Sequence, residues 1–236
     1  SGWPANHKRS GHCYMPTLNL EKLFYPRSVT VIGASNREGT AGNVVMHNLL
    51  HGGFEGPILP VGTDRAIAGV LAYAKVEDLP ITPDLAVLCT PPLGSIETIR
   101  TLGRRGTRAA ILLSHDEVKQ GGGRPAPPSD MVAILRREAE SSGVRLLGPD
   151  CLGVMVPGIG LNASTAHIPA QPGGVAFVSQ SSTVCAAVLD WASQRDIGFS
   201  HFISLGKAAD ICFGDVIDYL GNDAMTRAIL LYVESI

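Results

Sequence analysis

Short apolar runs alternate along the chain with segments whose apolar residues recur at helical spacing. Strands that alternate with helices are typical of parallel βαβ units, and right-handed crossovers between them build a doubly wound sheet. Such sheets bind ligands at the carboxyl ends of their strands. In the first part of the chain we predict strands at 29–33, 58–61, 85–89, 109–114 and 145–147, and helices at 41–51, 95–105 and 130–141.

A second series of alternating elements follows a strand-poor stretch and predicts a second α/β unit. Its predicted strands are 174–178, 199–205 and 228–233, and its helices are 182–194 and 213–221. We expect a flexible segment at 1–17, a Rossmann-type domain at 18–156, a linker at 157–173 and an incomplete α/β domain at 174–236. A three-stranded unit that ends on an apolar strand leaves an open sheet edge, so we expect a fragment of a longer protein.

The junction between the first strand and the first helix has the composition of a phosphate-binding turn. Glycines let the backbone approach a ligand closely, and the free amides and dipole at a helix start favour an anion. The residues predicted to bind a ligand at this turn are Gly33, Ala34, Ser35, Arg37, Gly39 and Gly42.

The residues that follow the second strand help to distinguish between two classes of phosphate ligand, dinucleotides and CoA-like ligands. In dinucleotide-binding folds, an acid about 20 residues past the glycine motif takes the ribose hydroxyls. Here the strand ends at Val61 without a carboxylate directly after it; Asp64 comes slightly later, and Arg65 beside it suits an extra phosphate. The spacing after Gly33 also departs from G-x-G-x-x-G. Val61 and Arg65 are therefore predicted to contact CoA or another phosphate ligand, and NAD(P) stays open.

Two more strand ends carry candidate site residues. Thr90, Pro91 and Pro92 follow the third strand, and the prolines stiffen a loop that we expect to form a wall of the site. A second strand-to-helix junction supplies small hydroxyl side chains that would bind phosphate or serve as ordinary helix N-caps. The residues of that junction are Ser181, Ser182 and Thr183.

Composition narrows the class of partner. The chain has 236 residues, 45% of them hydrophobic and 17% charged, and a formal net charge of -2, so it can bury a core and has no basic field for nucleic acid. The apolar runs are strand-sized and the polar start has no signal core, so we expect no membrane span and a cytoplasmic location. The five cysteines form no C-x-x-C pair, and His47 and His51 have no third ligand nearby, so no metal site is predicted.

Several motifs stand in the order found in the NDP-forming acyl-CoA synthetases, relatives of the succinyl-CoA synthetase α subunit. They are Val31-Ile32-Gly33-Ala34-Ser35, Cys89-Thr90-Pro91-Pro92, Leu147-Gly148-Pro149-Asp150-Cys151-Leu152-Gly153, Leu161-Asn162-Ala163-Ser164 and Ser179-Gln180-Ser181. The chain resembles this family from about Leu18 to Ile236. The resemblance implies a Rossmann-type CoA-binding domain, followed by a truncated flavodoxin-like domain, with CoA or acetyl-CoA held at 33–42.

A closer similarity is to the Pat-type bacterial protein lysine acetyltransferases, in which a synthetase-like region is fused to a GNAT acetyltransferase domain. It rests on residues 190–192, 197–200 and 229–234. This similarity implies a regulatory region that senses acetyl-CoA, with the GNAT domain and protein substrates such as acyl-CoA synthetases as partners and a homo-oligomer left open. Two departures from the synthetases bear on phosphate binding: Ser182 replaces the glycine of a Ser-Gly pair, and Asp150 replaces an asparagine. A carboxylate at position 150 would repel phosphate, or it would cap the following turn.

The alternative function is an active ADP-forming acyl-CoA ligase that passes phosphate through a histidine, with ADP or ATP and Mg as further ligands of the full-length protein. In those synthetases an acid at the position of Glu234 orients the histidine and fixes its tautomer. No histidine follows Glu234 in this chain, so we predict no catalytic residue here beyond Glu234 as that orienting acid. An NAD(P)-dependent oxidoreductase is the third and most distant hypothesis.

Overall fold

A computed structural model describes residues 17–113 and 130–234. The glycine- and proline-rich stretch 119–128, which the sequence predicts to be a flexible surface loop, lies outside the described residues, as does the predicted flexible segment 1–17 apart from Thr17. In chain order the elements are α1 (Leu20–Phe24), β1 (Val29–Ile32), α2 (Ala41–His51), β2 (Ile58–Val61), β3 (Ala66–Ile67), β4 (Val70–Leu71), β5 (Leu85–Leu88), α3 (Pro92–Arg105), β6 (Ala109–Leu112), α4 (Met131–Ser142), β7 (Arg145–Leu147), β8 (Gly153–Val156), β9 (Leu161–Ser164), β10 (Pro172–Ser179), α5 (Ser182–Ser193), β11 (Phe199–Ser204), α6 (Phe213–Leu220) and β12 (Ala228–Tyr232).

The first sheet is the parallel sheet that the alternating pattern predicts. Its strand order is β2-β1-β5-β6-β7, and every pairing is parallel. Strands β1, β5 and β6 are buried along their whole length because both faces of the sheet are covered. The predicted α/β fold class is confirmed.

The second sheet contains two strands that the sequence analysis did not predict. Its order is β12-β10-β11-β8-β9, with β8 antiparallel to both β11 and β9. The stretch 157–173 contains β9 and is therefore not strand-poor, and β8, placed in the first domain, pairs in the second sheet. The domain and linker boundaries themselves remain a prediction. Strand β9 lacks an apolar run because it includes Asn162 and Ser164, which are buried and bonded to each other, with Ser164 Oγ donating to Asn162 Oδ1 at 2.6 Å.

The two sheets share a continuous core. Buried apolar residues of both sheets, including Val31 of β1 and Val178 of β10, belong to one packed cluster. Helix α2 packs on β9, where Asn48 Nδ2 donates to the carbonyl oxygens of Ser164 and Ala166 at 2.8 and 3.0 Å. The position of α2 is thus fixed by the second sheet as well as by the first sheet.

Three local features differ from the prediction. Helix α3 begins at Pro92 rather than at residue 95, because proline is well suited to the first helical position. Helix α1 and the hairpin formed by β3 and β4 were not predicted, since elements of five and two residues are too short to show a period. Strand β12 is the edge strand of the second sheet among the described residues, and its Leu230 is 54% exposed.

Candidate functional site

The carboxyl end of β1 enters α2 through a turn with two left-handed residues. Gly33 and Gly39 have φ angles of 79° and 75°, a region that favours glycine. Thr40 is the N-cap of α2, and its Oγ1 accepts a hydrogen bond from the amide of Asn43 at 3.3 Å. The first amides of a helix have no partner within it, so with the helix dipole they can hold an anion.

Backbone contacts hold this turn closely against its neighbours. A Cβ atom on Gly42 would lie 2.0 Å from the carbonyl oxygen of Gly33, so only glycine fits there. The amides of Gly33 and Ala34 donate to the carbonyl oxygen of Val61 at 3.0 and 3.1 Å. These two amides therefore anchor the turn to β2, and the donors available to a phosphate come later, at the start of α2. Contact of Gly33, Ala34 and Val61 with a ligand remains a prediction.

Asp64, the one acid near the end of β2, is bonded within the protein. Its Oδ2 accepts from Asn36 Nδ2 at 2.9 Å. The same Asn36 amide donates to the carbonyl oxygen of Ala66 at 2.9 Å, and the amide of Ala68 donates to Asn36 Oδ1 at 3.0 Å. The carboxylate that a dinucleotide fold would use for ribose is thus committed to the turn, which disfavours NAD(P).

The end of β5 packs beside the same turn. Thr90 Cγ2 is 3.0 Å from the position that a Cβ on Gly33 would occupy. Thr90 Oγ1 lies 3.0 Å from Ser95 Oγ, which also donates to the carbonyl oxygen of Pro91. Because Pro91 is the N-cap residue of α3 and Pro92 follows it, all three predicted wall residues lie at this edge. Their contact with a ligand remains a prediction.

Of the two predicted arginines, one lies in the turn and the other follows β2. Arg37 lies within it, and its amide donates to Ser35 Oγ at 3.0 Å. Arg65 follows β2, and its carbonyl oxygen accepts from the amide of Ala72 at 3.0 Å, at the base of the hairpin. Both side chains are exposed, as a contact to an incoming phosphate requires.

The second predicted junction, at the start of α5, has its hydroxyls partly engaged. Ser181 is the N-cap of α5, and its Oγ accepts from the amide of Val184 at 3.4 Å, so the N-cap interpretation is confirmed for this residue. Ser182 Oγ donates to the carbonyl oxygen of Asp150 at 3.2 Å, and Thr183 is exposed. Phosphate binding at these three residues remains a prediction, with the first-turn amides as donors.

Residues 148–152 join the carboxyl edges of the two sheets. Cys151 Sγ donates to the carbonyl oxygen of Leu112 at the end of β6, at 3.4 Å. The amide of Leu152 donates to Ser204 Oγ at the end of β11, at 3.0 Å. With the bond from Ser182 to Asp150, this segment contacts both edges where the candidate ligand-binding turns lie.

Asp150 forms an ion pair that the sequence analysis missed. Its Oδ2 lies 2.5 Å from Lys207 Nζ, and the amide of Lys207 donates to the carbonyl oxygen of Pro149 at 2.9 Å. The carboxylate is therefore compensated by a cation beside α5 instead of standing alone there. One signal was present in the sequence, since Lys207 follows a predicted strand at the edge that binds ligands.

The cysteines near the site are not activated nucleophiles. Burial raises the pKa of the Cys89 thiol to about 12 and also raises the pKa of the Cys151 thiol well above its usual value.

Among the described residues, no cluster of three potential metal ligands occurs. His47 and His51 stack with ring centroids 5.7 Å apart, and the amide of Glu234 donates to Gln180 Oε1 at 2.8 Å. Of the helices in the described ranges, none is long and apolar enough to cross a membrane.

The fold is that of a two-sheet α/β protein with a glycine-containing turn between β1 and α2. Residues 27–157 match the family described as CoA binding domain, and residues 172–236 match the one described as succinyl-CoA ligase like flavodoxin domain. The chain belongs to the CoA-binding domain family. Its second domain is flavodoxin-like, as the sequence resemblance implied.

The matches to known proteins extend over most of the chain. The chain is 35% identical over 218 residues to acetate–CoA ligase [ADP-forming] I of Archaeoglobus fulgidus, covering 92% of this chain and 31% of that protein. It is 34% identical to acetate–CoA ligase [ADP-forming] II subunit alpha of Pyrococcus furiosus, covering 92% and 46%. The structure of Ca. Korarchaeum cryptofilum dinucleotide forming acetyl-coenzyme A synthetase 1 in complex with phosphate and ADP matches with a TM-score of 0.85 at 32% identity, covering 93% and 46%.

The chain thus spans less than half the length of each of these relatives. The predicted membership of the NDP-forming acyl-CoA synthetase group, with its succinyl-CoA ligase-like α region, is confirmed. The closer similarity to Pat-type acetyltransferases finds no support in the two family descriptions or in these relatives, which are named as ligases and a synthetase.

Proposed function

We propose that this chain is the CoA- and phosphate-binding region of an ADP-forming acyl-CoA ligase, the alternative that the sequence analysis left open. The observation that carries the proposal is the segment 148–152, which contacts the carboxyl ends of β6 and β11 together. A ligase has to bring the thioester of an acyl-CoA to a phosphate. Two anion-binding turns on edges joined by one short segment suit that task. The names of the relatives support the same reaction class.

In this proposal the two turns hold different ligands. The start of α2, with Arg37 and Arg65 at its border, holds the phosphates of CoA, and residues 90–92 form the wall beside them. The start of α5 holds inorganic phosphate through its amides, with Ser181 as cap. A phosphate oxygen attacks the thioester carbonyl carbon, the carbon–sulfur bond breaks, and CoA leaves as the thiolate with the electron pair, giving an acyl phosphate.

The phosphoryl group then passes to ADP, with Mg²⁺ as the expected companion of the nucleotide. Glu234 is the proposed orienting acid for a histidine that carries the phosphoryl group, because a carboxylate bonded to one ring nitrogen fixes the tautomer of the other. Strand β12 ends two residues before Glu234, and the amide of Glu234 donates to Gln180 Oε1 at 2.8 Å, next to the start of α5.

The acetyl-CoA-sensing region of a Pat-type acetyltransferase is the second candidate. Ser182 favours it, because its hydroxyl is committed to the Asp150 carbonyl oxygen and a serine side chain stands where the synthetases have glycine. The two candidates differ in one measurable property. The ligase region binds both CoA and inorganic phosphate, whereas a sensor needs only acetyl-CoA.

The test combines two titrations of this chain. Calorimetry with CoA, acetyl-CoA and NADH is expected to show binding of the first two and none of NADH. Phosphorus NMR with inorganic phosphate is expected to show a second, independent ligand. Ser35→Glu, which places negative charge in the α2 turn, is expected to weaken CoA binding at least about tenfold. Ser141→Glu, an exposed serine at the far end of α4, is the matched control and should bind normally.

Each outcome decides between the hypotheses. CoA binding with no effect of phosphate would support the sensor over the ligase. Binding of NADH alone would overturn both and restore the oxidoreductase hypothesis. Equal CoA binding by Ser35→Glu and wild type would move the CoA site away from the α2 turn.

A further inference from the structure

The side chain of Asn36 connects the candidate CoA turn to the β3–β4 hairpin. It makes three hydrogen bonds: its Nδ2 donates to Asp64 Oδ2 and to the carbonyl oxygen of Ala66, both at 2.9 Å, and its Oδ1 accepts from the amide of Ala68 at 3.0 Å. Both amide protons and the carbonyl oxygen of this side chain are therefore used. The partners lie before, within and just after β3, so one side chain contacts the hairpin from the start of β3 to its loop.

The middle of the turn is exposed and is held from the α2 side: Thr40 Oγ1 donates to the carbonyl oxygen of Arg37 at 2.8 Å, and Asn43 Nδ2 donates to that of Ser35 at 3.2 Å. Residues 36–39 are exposed, and a Cβ placed on Gly39 would meet no atom within 4 Å. The two ends are anchored, by the amide of Gly33 on Val61 at one side and by the Thr40 cap at the other. On the other side, the side chain of Asn36 ties the turn to the β3–β4 hairpin.

We propose that Asn36 is a positioning residue for CoA, and that the β3–β4 hairpin is the support that holds the α2 turn in its phosphate-accepting conformation. The identity of the ligand rests on the proposed function above. A turn that is already ordered before CoA arrives does not lose conformational entropy on binding, so preorganisation appears directly as affinity. Asn36 acts through the turn and needs no contact of its own with the ligand.

The same contacts also disfavour binding of a dinucleotide at this site. Asp64 Oδ2 accepts from Asn36, so this carboxylate serves the support instead of a ribose diol. A Cβ on Gly62 would lie 2.4 Å from the carbonyl oxygen of Ala34, which shows how closely the end of β2 approaches the turn. The arrangement strengthens CoA binding and removes a group that a dinucleotide would require.

The test measures CoA affinity by calorimetry on four variants of this chain. Asn36→Ala removes all three bonds and is expected to weaken CoA binding about tenfold, because each bond to an exposed loop contributes modestly. Asn36→Asp places two carboxylates side by side and is expected to weaken it further. Asp64→Asn keeps an acceptor oxygen for Asn36 and is expected to stay within about twofold of wild type.

The exchanged pair Asn36→Asp with Asp64→Asn provides the rescue. In this double variant the amide introduced at position 64 can donate to the carboxylate introduced at position 36, which also accepts from the amide of Ala68. Affinity is therefore expected to recover part of the loss of Asn36→Asp, because the bond to the carbonyl oxygen of Ala66 stays broken. A purely structural role would lower the unfolding midpoint of these variants in parallel with affinity. A positioning role lowers affinity while the unfolding midpoint, measured in urea, stays near that of wild type.

Two results would overturn the inference. One is a folded Asn36→Ala that binds CoA as tightly as wild type, which would leave the proposed CoA site intact and remove only the role of Asn36. The other is an exchanged pair no better than Asn36→Asp alone, which would show that the bond to position 64 is irrelevant. Absence of CoA binding by wild type would overturn the proposed site and the inference together.

Discussion

Acid is expected to destabilise the protein through a single buried histidine, His201 in β11. This side chain is fully buried, and neither ring nitrogen has a hydrogen-bond partner among the described residues. The rings of Phe24 and Tyr25 lie against it with centroids 5.3 and 5.8 Å away. The nearest carboxylate oxygen recorded, Asp223 Oδ2, is 3.7 Å from its Nδ1, beyond a hydrogen bond.

The magnitude follows from the pKa of the imidazole. Burial lowers the pKa of His201 from 6.5 to about 4, and the attraction of Asp223 offsets only part of that effect. Below pH 6.5 the His201 side chain binds a proton in the unfolded chain but not in the folded protein, so the free energy of unfolding falls as the pH decreases. The loss is complete near pH 4, where both states are protonated. A difference of about 2.5 pKa units corresponds to about 3 kcal/mol of unfolding free energy.

Urea unfolding between pH 4.5 and 8 at constant ionic strength would measure this loss. The variant His201→Phe removes the titrating group and keeps a ring between Phe24 and Tyr25, and His201→Leu is a second variant in case the larger ring does not fit. Both are expected to lose less stability than wild type between pH 7 and pH 4.5. His167→Gln, at an exposed histidine bonded to Asp190, is the matched control and should follow the wild-type curve.

The difference between the curves isolates His201 from the carboxylates, which titrate in every variant. Parallel curves for wild type and both His201 variants would refute the reasoning, since they would show that the buried ring contributes no proton linkage. A wild-type curve that rises toward pH 5 would refute the sign.

Three further results are expected. Gly42→Ala should destabilise the protein by about 2–4 kcal/mol in urea unfolding, because the new methyl group overlaps backbone atoms. Gly94→Ala, at an open helical position, should stabilise it by up to about 1 kcal/mol. Equal effects of the two substitutions would contradict the close packing of the turn. Cys89, whose pKa is raised to about 12, should resist maleimide at pH 8 in the native protein and react after denaturation, as read by mass spectrometry; rapid native labelling would contradict the raised pKa. Lys207→Ala should weaken phosphate binding about tenfold in phosphorus NMR titrations and Asp150→Asn should strengthen it; identical affinities would contradict the compensating ion pair.

The local pattern of hydrophobic and polar residues was sufficient to predict most of the strands and helices. The predicted strand 58–61 and helix 41–51 have the observed bounds, and the other predicted elements agree at their cores, because buried parallel strands and covering helices each impose a period on the chain. The turn at Gly33 was also predictable, since a glycine directly after a buried strand and before a helix start has few other uses.

The elements that were missed have no period of their own. Strand β9 is held in place by pairing with β8 and by Asn48 of α2, which donates to the carbonyl oxygen of Ser164. The polar side chains of Asn162 and Ser164 are tolerated there because they bond to each other. A hairpin of two-residue strands likewise depends on Asn36, which is distant in sequence. Such pairings are not visible in a window of ten residues.

By itself, the sequence determined the α/β class, the order of the main strands and helices, and the position of the glycine turn at the edge of the first sheet, because all three follow from local hydrophobic pattern and from glycine and proline chemistry. Only the tertiary structure decided what the polar side chains do. It committed Asp64 to Asn36, compensated Asp150 with Lys207, and buried His201 without a hydrogen-bond partner among the described residues. The physical reason is that hydrogen bonds and ion pairs join residues far apart in the chain, so their partners are chosen by packing and leave no local pattern.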